Sequence, residues 1–355
     1  MTDVRVPVLD RPAEPTAARR VDPTWPLLGA ALALVVVLRS VDVPAIGWLN
    51  NFLLVYVGLL VEAVPFVLLG AAVSAAIEVY VSVEAFGRLA RAPRAAQVAV
   101  ASCGGLLLPV CECGSVPVAR RLLLRGLTPS AAITFMLAAP IVNPVVILST
   151  WFAFRGRTSE GLMVGGRVVL GLTIAVVTGL VMARALERRP LAPSSAPQAG
   201  ASGHDHGDHG DHDHGTHDRP SRPRRLAEHT GAEFLAMMKY MLIGAAVAAA
   251  LQTFIPQRSI DTVATATLLA IPAMMVFAYV LSLCSESDAL FIASFVQFSP
   301  AAQLAFLAFG PMLDTKLTAM YVGAFGPAHA RRLVVTITVT TLVLCLWLQA
   351  ALLVW

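Results

Sequence analysis

The sequence predicts an all-α polytopic membrane protein: two four-segment repeats with one extra helix in front. Three observations carry this. The chain is 57% hydrophobic and 14% charged, where soluble domains average about 45–50% apolar and about 25% charged, and its mean hydropathy is +0.73. Stretches with few or no charges recur at Val98–Val110, Val168–Met182, Ala264–Cys284 and Leu333–Trp355, and a bilayer-crossing helix needs about 20 largely apolar residues. Finally, two stretches match without a gap. Cys113/Cys284, Pro129/Pro300, Pro140/Pro311 and Asn143/Asp314 all stand 171 residues apart. The alternation of roughly ten-residue segments that marks an outer-membrane barrel is absent.

Taken in order, residues 1–24 are polar, with four Arg and four Pro in Met1–Pro23 and no apolar core. They read as a cytosolic tail and not as a signal peptide. Leu27–Leu38 seeds the extra helix, assigned to 25–49. The first repeat, 50–186, holds Asn51–Val81 (interrupted by Glu62 and Pro65), an amphipathic Arg-rich stretch at Ser82–Ala96, then Val98–Leu124, Pro129–Phe154 and Leu162–Ala183. Residues 187–230 form a linker rich in Pro, Gly, His and Asp. The second repeat, 231–355, holds Phe234–Ile255, Thr262–Phe291, Pro300–Phe325 and Leu333–Trp355. The match extends upstream, where Phe66–Val73 resembles Tyr240–Val247. There Gly70 and Gly244 are 174 residues apart, so one small indel separates the two registers.

Charge placement bears on topology. The basic regions are the N-terminal tail, the Arg88–Arg94 loop, the linker with its flanks (Arg184, Arg188, Arg189, Arg222, Arg224, Arg225) and Arg331/Arg332. If all nine apolar segments cross, the linker falls outside and breaks the positive-inside rule. If one segment per repeat is re-entrant, seven cross and all four basic regions lie inside, although Arg155 and Arg157 then lie outside. The two repeats would have opposite orientations, with broken or re-entrant helices meeting near the midplane, a recurring transporter plan. Irregular backbone at that depth is tolerated only where it lines a cavity or is buried in protein. The net charge of +4 does not point to nucleic acid: the Arg residues flank apolar runs, and no aromatic-basic patch offers bases a stacking surface.

The polar residues beside the matching breaks are the candidate pathway. Thiolates, as in Cys111-Glu112-Cys113-Gly114, are soft ligands suited to zinc and copper. On a regular helix two such thiols diverge by about 200°, so they converge only if the backbone unwinds, which Pro109, Gly114 and Pro117 favour. Glu112 within a membrane is costly unless paired or wetted. The plain alternative is that these Cys are small packing residues, as Cys103 and Cys345 are read to be. In Cys284-Ser285-Glu286-Ser287-Asp288, two carboxylates in apolar surroundings make a cation or proton site. The alternative there is a charge cluster with Arg120, Arg121 or Lys316, and the two are compatible. Asn143 and Asp314 occupy matching places after Pro140 and Pro311, whose missing N–H groups free carbonyls that offer oxygen ligands. Glu62 before Pro65 is either part of a kinked relay or a carboxylate facing a polar cavity. Glu233 and Lys239, near a helix start, read as interfacial.

The predicted pathway set is therefore Glu62, Cys111, Glu112, Cys113, Ser115, Asn143, Cys284, Glu286, Asp288, Asp314 and Lys316. Cys111, Cys113, Cys284, Glu286 and Asp288 are its metal ligands. In the linker, His204, His206, His209, His212, His214 and His217 alternate with Asp and Gly. Such a tract suits labile metal binding, or else is a solvated spacer.

At Pro109-Val-Cys-Glu-Cys-Gly-Ser-Val-Pro-Val118, Leu137-Ala-Ala-Pro-Ile-Val-Asn-Pro144 and Leu283-Cys-Ser-Glu-Ser-Asp-Ala289 the chain resembles the ArsP/YraQ-type predicted permeases. The resemblance covers nearly all of residues 50–355. It implies a permease with a soft-ligand site, in a superfamily that includes exporters of trivalent organoarsenicals and proteins assigned to zinc or copper efflux. Cys111–Ser115 is similar to the family's Cys-rich signature. Glu112 stands where arsenical-type members tend to have a small residue, and Ala139-Pro140-Ile-Val-Asn143 where they tend to have a Thr-Pro-Gln run. Both departures count against arsenical specificity.

The expected function is a secondary transporter or exporter in the inner or plasma membrane. Its cargo is a transition-metal ion, zinc or copper, bound as substrate with no resident cofactor required. Protons are the candidate coupling ion, and a homodimer or an accessory membrane subunit the candidate assembly. One alternative is an exporter of a small thiophilic molecule such as a trivalent organoarsenical; another, from a different class, is a membrane-embedded enzyme or assembly factor. Against an enzyme stand the lack of Ser/His/Asp spacing, of a His-x-x-x-His pair and of any His in an apolar run. No Gly-x-x-x-x-Gly-Lys loop is present, so ATP would have to come from a partner.

Overall fold

A computed structural model describes residues 47–80, 91–107, 110–188, 222–254 and 267–354. The N-terminal tail and the His204–His217 tract lie outside these residues, as do most of the extra helix and of the Arg-rich stretch. The chain's contacts divide it into Met1–Asn50 and Asn51–Trp355, and the site lies wholly in the second unit. The described residues contain helices and no strand. The first repeat comprises α1 (Gly47–Tyr80), α2 (Arg94–Ser102), α3 (Gly104–Leu107), α4 (Glu112–Leu124), α5 (Pro129–Val142), α6 (Pro144–Phe154) and α7 (Glu160–Arg188). The second comprises α8 (Arg222–Phe254), α9 (Thr267–Leu281), α10 (Asp288–Ile292), α11 (Pro300–Phe309), α12 (Thr315–Phe325) and α13 (Pro327–Val354).

Among the described residues, five helices are long and apolar enough to cross a membrane: Gly47–Tyr80, Pro129–Phe154, Glu160–Glu187, Pro223–Phe254 and Pro327–Val354. The chain is a multi-pass helical membrane protein. The remaining apolar helices are short, and they lie where the sequence predicts breaks. α9, with 15 residues, rises about 22 Å, less than the roughly 30 Å hydrocarbon core. Proline sets several of the starts. Pro129, Pro144, Pro300 and Pro327 each open a helix, where a missing N–H removes no intrahelical bond.

Small residues set the packing. Gly171 lies against Ile141, and Gly179 against Ser130 and Thr134, so α7 runs antiparallel along α5 with the close approach that glycine permits between membrane helices. In the same way Gly244 packs on Lys316 and Gly323 on Tyr240, joining α8 to α12. α1 and α8 are corresponding helices of the two repeats. Leu59 and Leu60 cluster with Ala245 and Ala248, while the Ser74 hydroxyl donates to Glu233 at 2.7 Å. The pair therefore runs antiparallel, as inverted repeats require.

Two helix starts differ from the apolar runs. α8 begins at Arg222 and α13 at Pro327, well before Phe234 and Leu333. His229 and His329 consequently lie on these helices, ahead of the apolar runs that the sequence marks. A helix that packs against others along its length carries polar residues into the protein wherever a partner meets them, and hydropathy alone does not register the partner.

Candidate functional site

Both repeats present side chains from an interrupted helix. In the second, α9 stops at Leu281 and Ser282 takes φ 49°, a left-handed conformation costing a non-glycine roughly 1–2 kcal/mol. Neighbouring bonds hold it there. The Ser282 hydroxyl donates to the Tyr279 carbonyl (3.2 Å) and accepts from the Thr315 N–H (3.3 Å), while the Thr315 hydroxyl donates to the same carbonyl (2.9 Å). The chain leaves the helix and carries Cys284 and Glu286 on irregular backbone. In the first repeat Cys111 is the extended N-cap of α4, and Glu112 lies in the first turn, where the helix dipole favours a carboxylate.

These breaks meet. Glu112, Cys284 and Glu286 each contribute a donor atom, all within 4.8 Å of one another. A tetrahedral ion with bonds of 2.0–2.3 Å sets its ligands about 3.3–3.8 Å apart, so the set is near metal geometry. Glu112 is 1% exposed. One of its oxygens accepts from the Ser285 hydroxyl at 2.9 Å, and Oε1 has no hydrogen-bond partner among the described residues. A buried carboxylate with an open oxygen is expensive without a cation. Lys316, also buried, stands 3.7 Å from Asp314 and within electrostatic reach of Glu112, Cys113 and Cys284.

The other sequence-predicted residues are placed differently. Cys111 and Cys113 are both buried, but neither joins the three-donor set. Cys345 is buried; Cys103 is exposed, contrary to its reading as a buried hydrophobe. Asp288 does not join the set either. It pairs at 2.7 Å with Arg167, and both side chains are almost fully buried. This corrects the expected partners. Arg121 is engaged elsewhere, at 2.8 Å from Glu78 and 3.4 Å from Glu233, and Lys316 is with Asp314.

The sequence does not single out Arg167, although it lies inside the Leu162–Ala183 segment, because no local motif surrounds it. Its guanidinium also donates to the Ser285 carbonyl (3.1 Å) and the Thr150 hydroxyl (2.8 Å). A side chain of the first repeat thus fixes the loop bearing Cys284 and Glu286.

Asn143 and Asp314 act alike as helix caps. Asn143 accepts from the Val145 N–H at 3.0 Å and Asp314 from the Leu317 N–H at 2.6 Å. The Ser115 hydroxyl lies 2.9 Å from both the Glu112 and Met136 carbonyls. Met136 precedes Pro140 by four residues, so proline deprives that carbonyl of its helical donor and Ser115 supplies one, where the sequence suggested an open oxygen ligand. Ser115→Ala is expected to leave that acceptor buried and unmet. The cost is about 1–3 kcal/mol, read as a lower melting temperature of the purified protein; an unchanged melt would show that the bond contributes nothing.

Glu62 is half-buried and has no hydrogen bond or ion pair among the described residues. Glu233 is largely buried and takes part in a second cluster with Ser74, Arg121 and Glu78, which His229 joins at 3.3 Å from Glu78. Lys239 lies over the Tyr240 ring at 5.0 Å.

Comparison with known proteins agrees with this architecture. Residues 48–349 match a family model described as "Predicted permease", of the ArsP type. The UPF0718 protein YcgR of Bacillus subtilis (strain 168) is 36% identical over 289 residues, covering 81% of this chain and 93% of that protein. A "putative two-component membrane permease complex subunit" of Streptococcus mutans serotype c is 28% identical over 296 residues, covering 83% of this chain and 93% of that one. No solved structure matches the chain.

Proposed function

The chain belongs to the ArsP-type predicted permease family, and on that premise we propose that it is a secondary transporter exporting a transition-metal ion, with zinc as the leading substrate. The observation that carries this is the meeting of Glu112 from one repeat with Cys284 and Glu286 from the other. One sulfur and two carboxylates suit zinc, which accepts S and O donors, better than copper(I), which prefers sulfur alone. A trivalent organoarsenical would seek several thiols. The Cys111 and Cys113 thiols stand outside the donor set, which counts against that cargo. Protons are the proposed coupling ion, the cell membrane the proposed location, and the His204–His217 tract a labile capture site beside the pathway. The printed name of the Streptococcus relative motivates a search for an accessory membrane subunit.

Purified protein in liposomes should move zinc, and Cys284→Ser and Glu112→Gln should each abolish flux. Both should weaken zinc binding by at least about 100-fold, beyond the 10–100-fold typical of outer-shell changes. Cys345→Ser, at a buried thiol outside the set, should behave as wild type. Zinc and copper flux at background, with an organoarsenical transported, would overturn the metal reading in favour of the thiophilic one.

A further inference from the structure

The last turns of α7 meet the first turns of α13 at an open groove of about 190 Å³. Val181, Met182 and Ala185 line one side, and Arg331, Arg332 and Val335 the other. The floor is apolar, and two exposed guanidinium groups stand at the rim. Exposed Arg184 on α7 adds a third positive charge beside it. None of the three arginines has an ion-pair or hydrogen-bond partner among the described residues. The nearby acid, Glu187, is engaged by Arg94 at 3.0 Å.

Away from the arginines the surface turns mostly apolar, with Thr336 in the groove wall. Val335, Val339 and Val343 are exposed at four-residue spacing along α13, and Val177, Leu180 and Val181 are exposed along one side of α7. In a bilayer these residues face acyl chains. Unpaired cations next to a hydrocarbon-facing trough match the two parts of one kind of molecule.

We propose that this groove binds an anionic phospholipid, its phosphate against Arg331 and Arg332 and an acyl chain along the valine track. Positive-inside placement puts these arginines at the cytosolic leaflet, and a basic pocket between membrane helices on that side is suited to anionic headgroups. The site is independent of the Glu112–Cys284–Glu286 set and of what that set carries.

Native mass spectrometry of the purified full-length protein, titrated with phosphatidylglycerol or phosphatidylcholine, tests this. Wild type should retain phosphatidylglycerol in preference to phosphatidylcholine. Arg331→Gln with Arg332→Gln should weaken phosphatidylglycerol binding on the order of thirtyfold, from about 1 kcal/mol per arginine near an anionic surface. Val335→Trp, which crowds the groove's apolar side and keeps both charges, should weaken it as well. Arg155→Gln, at a cation beside the Trp151 ring, should not. Unchanged binding in the double variant, or equal retention of both lipids by wild type, would overturn the proposal. So would displacement by glycerol 3-phosphate as effective as by the lipid, since the groove would then be a free-phosphate site.

Discussion

Arg167→Met is expected to destabilise the protein by about 3–5 kcal/mol, the usual consequence of removing one partner of a buried ion pair. The reason is the charge left behind. Asp288 is buried with Arg167 as its ion-pair partner at 2.7 Å, and its second oxygen already lacks a hydrogen bond among the described residues. The variant should accumulate poorly and melt early. Adding Asp288→Leu removes the stranded charge, and replacing a buried pair by apolar residues is often neutral or stabilising, so the double variant should regain most of the melting temperature. It should not regain zinc binding, because the Arg167 bond to the Ser285 carbonyl, which holds the Cys284–Glu286 loop, is still gone. Stability and binding therefore separate. A single variant that melts like wild type, or a double variant that recovers both properties, would remove Arg167 from the role of clamp.

The second large effect is expected at Gly70. A Cβ there would collide with the Gly114 Cα and lie 2.6 Å from its carbonyl oxygen. Both are backbone atoms, so no rotamer change relieves the contact and α1 must move away from α4. Overpacking typically costs about 1–3 kcal/mol and sometimes more; Gly70→Leu should fall at or above the top of that range. Because α4 carries Glu112, zinc flux should fall with stability. At Gly58, on the same helix, an added Cβ would meet nothing within 4 Å. Gly58→Ala should be neutral, or stabilising by up to about 1 kcal/mol. Melting curves of the two variants against wild type decide the matter. Equal tolerance at positions 58 and 70 would mean that the α1–α4 approach is not needed.

The repeat and its breaks are legible in the sequence because both are written in local chemistry: proline, glycine and ionisable residues inside apolar runs. Cys284 and Glu286 stand out for the same reason. Asn143 and Asp314, read from the sequence as pathway residues, instead serve as caps at the starts of α6 and α12. Which side of the first motif faces its partner is not written locally. Consecutive helical residues point about 100° apart, so Glu112 can join donors of the second repeat while Cys111 and Cys113 stay outside that set, and only packing decides the rotation. Arg167 and Glu233 escape a reading of the sequence on related grounds. Their partners are 121 and 112 residues away along the chain, and nothing in the local sequence names a partner at that distance.

The hydrogen bond between Glu112 and Ser285 spans 173 residues. At roughly 5–20 residues per second of synthesis, about 10–35 s pass between the emergence of the carboxylate and that of its partner. Throughout that interval the nascent first half must shelter a naked acid, in the insertion machinery or in water, before it can settle. Ribosomal pausing late in the message would lengthen this exposure, and quality-control proteases would meet the half-made chain at its most vulnerable.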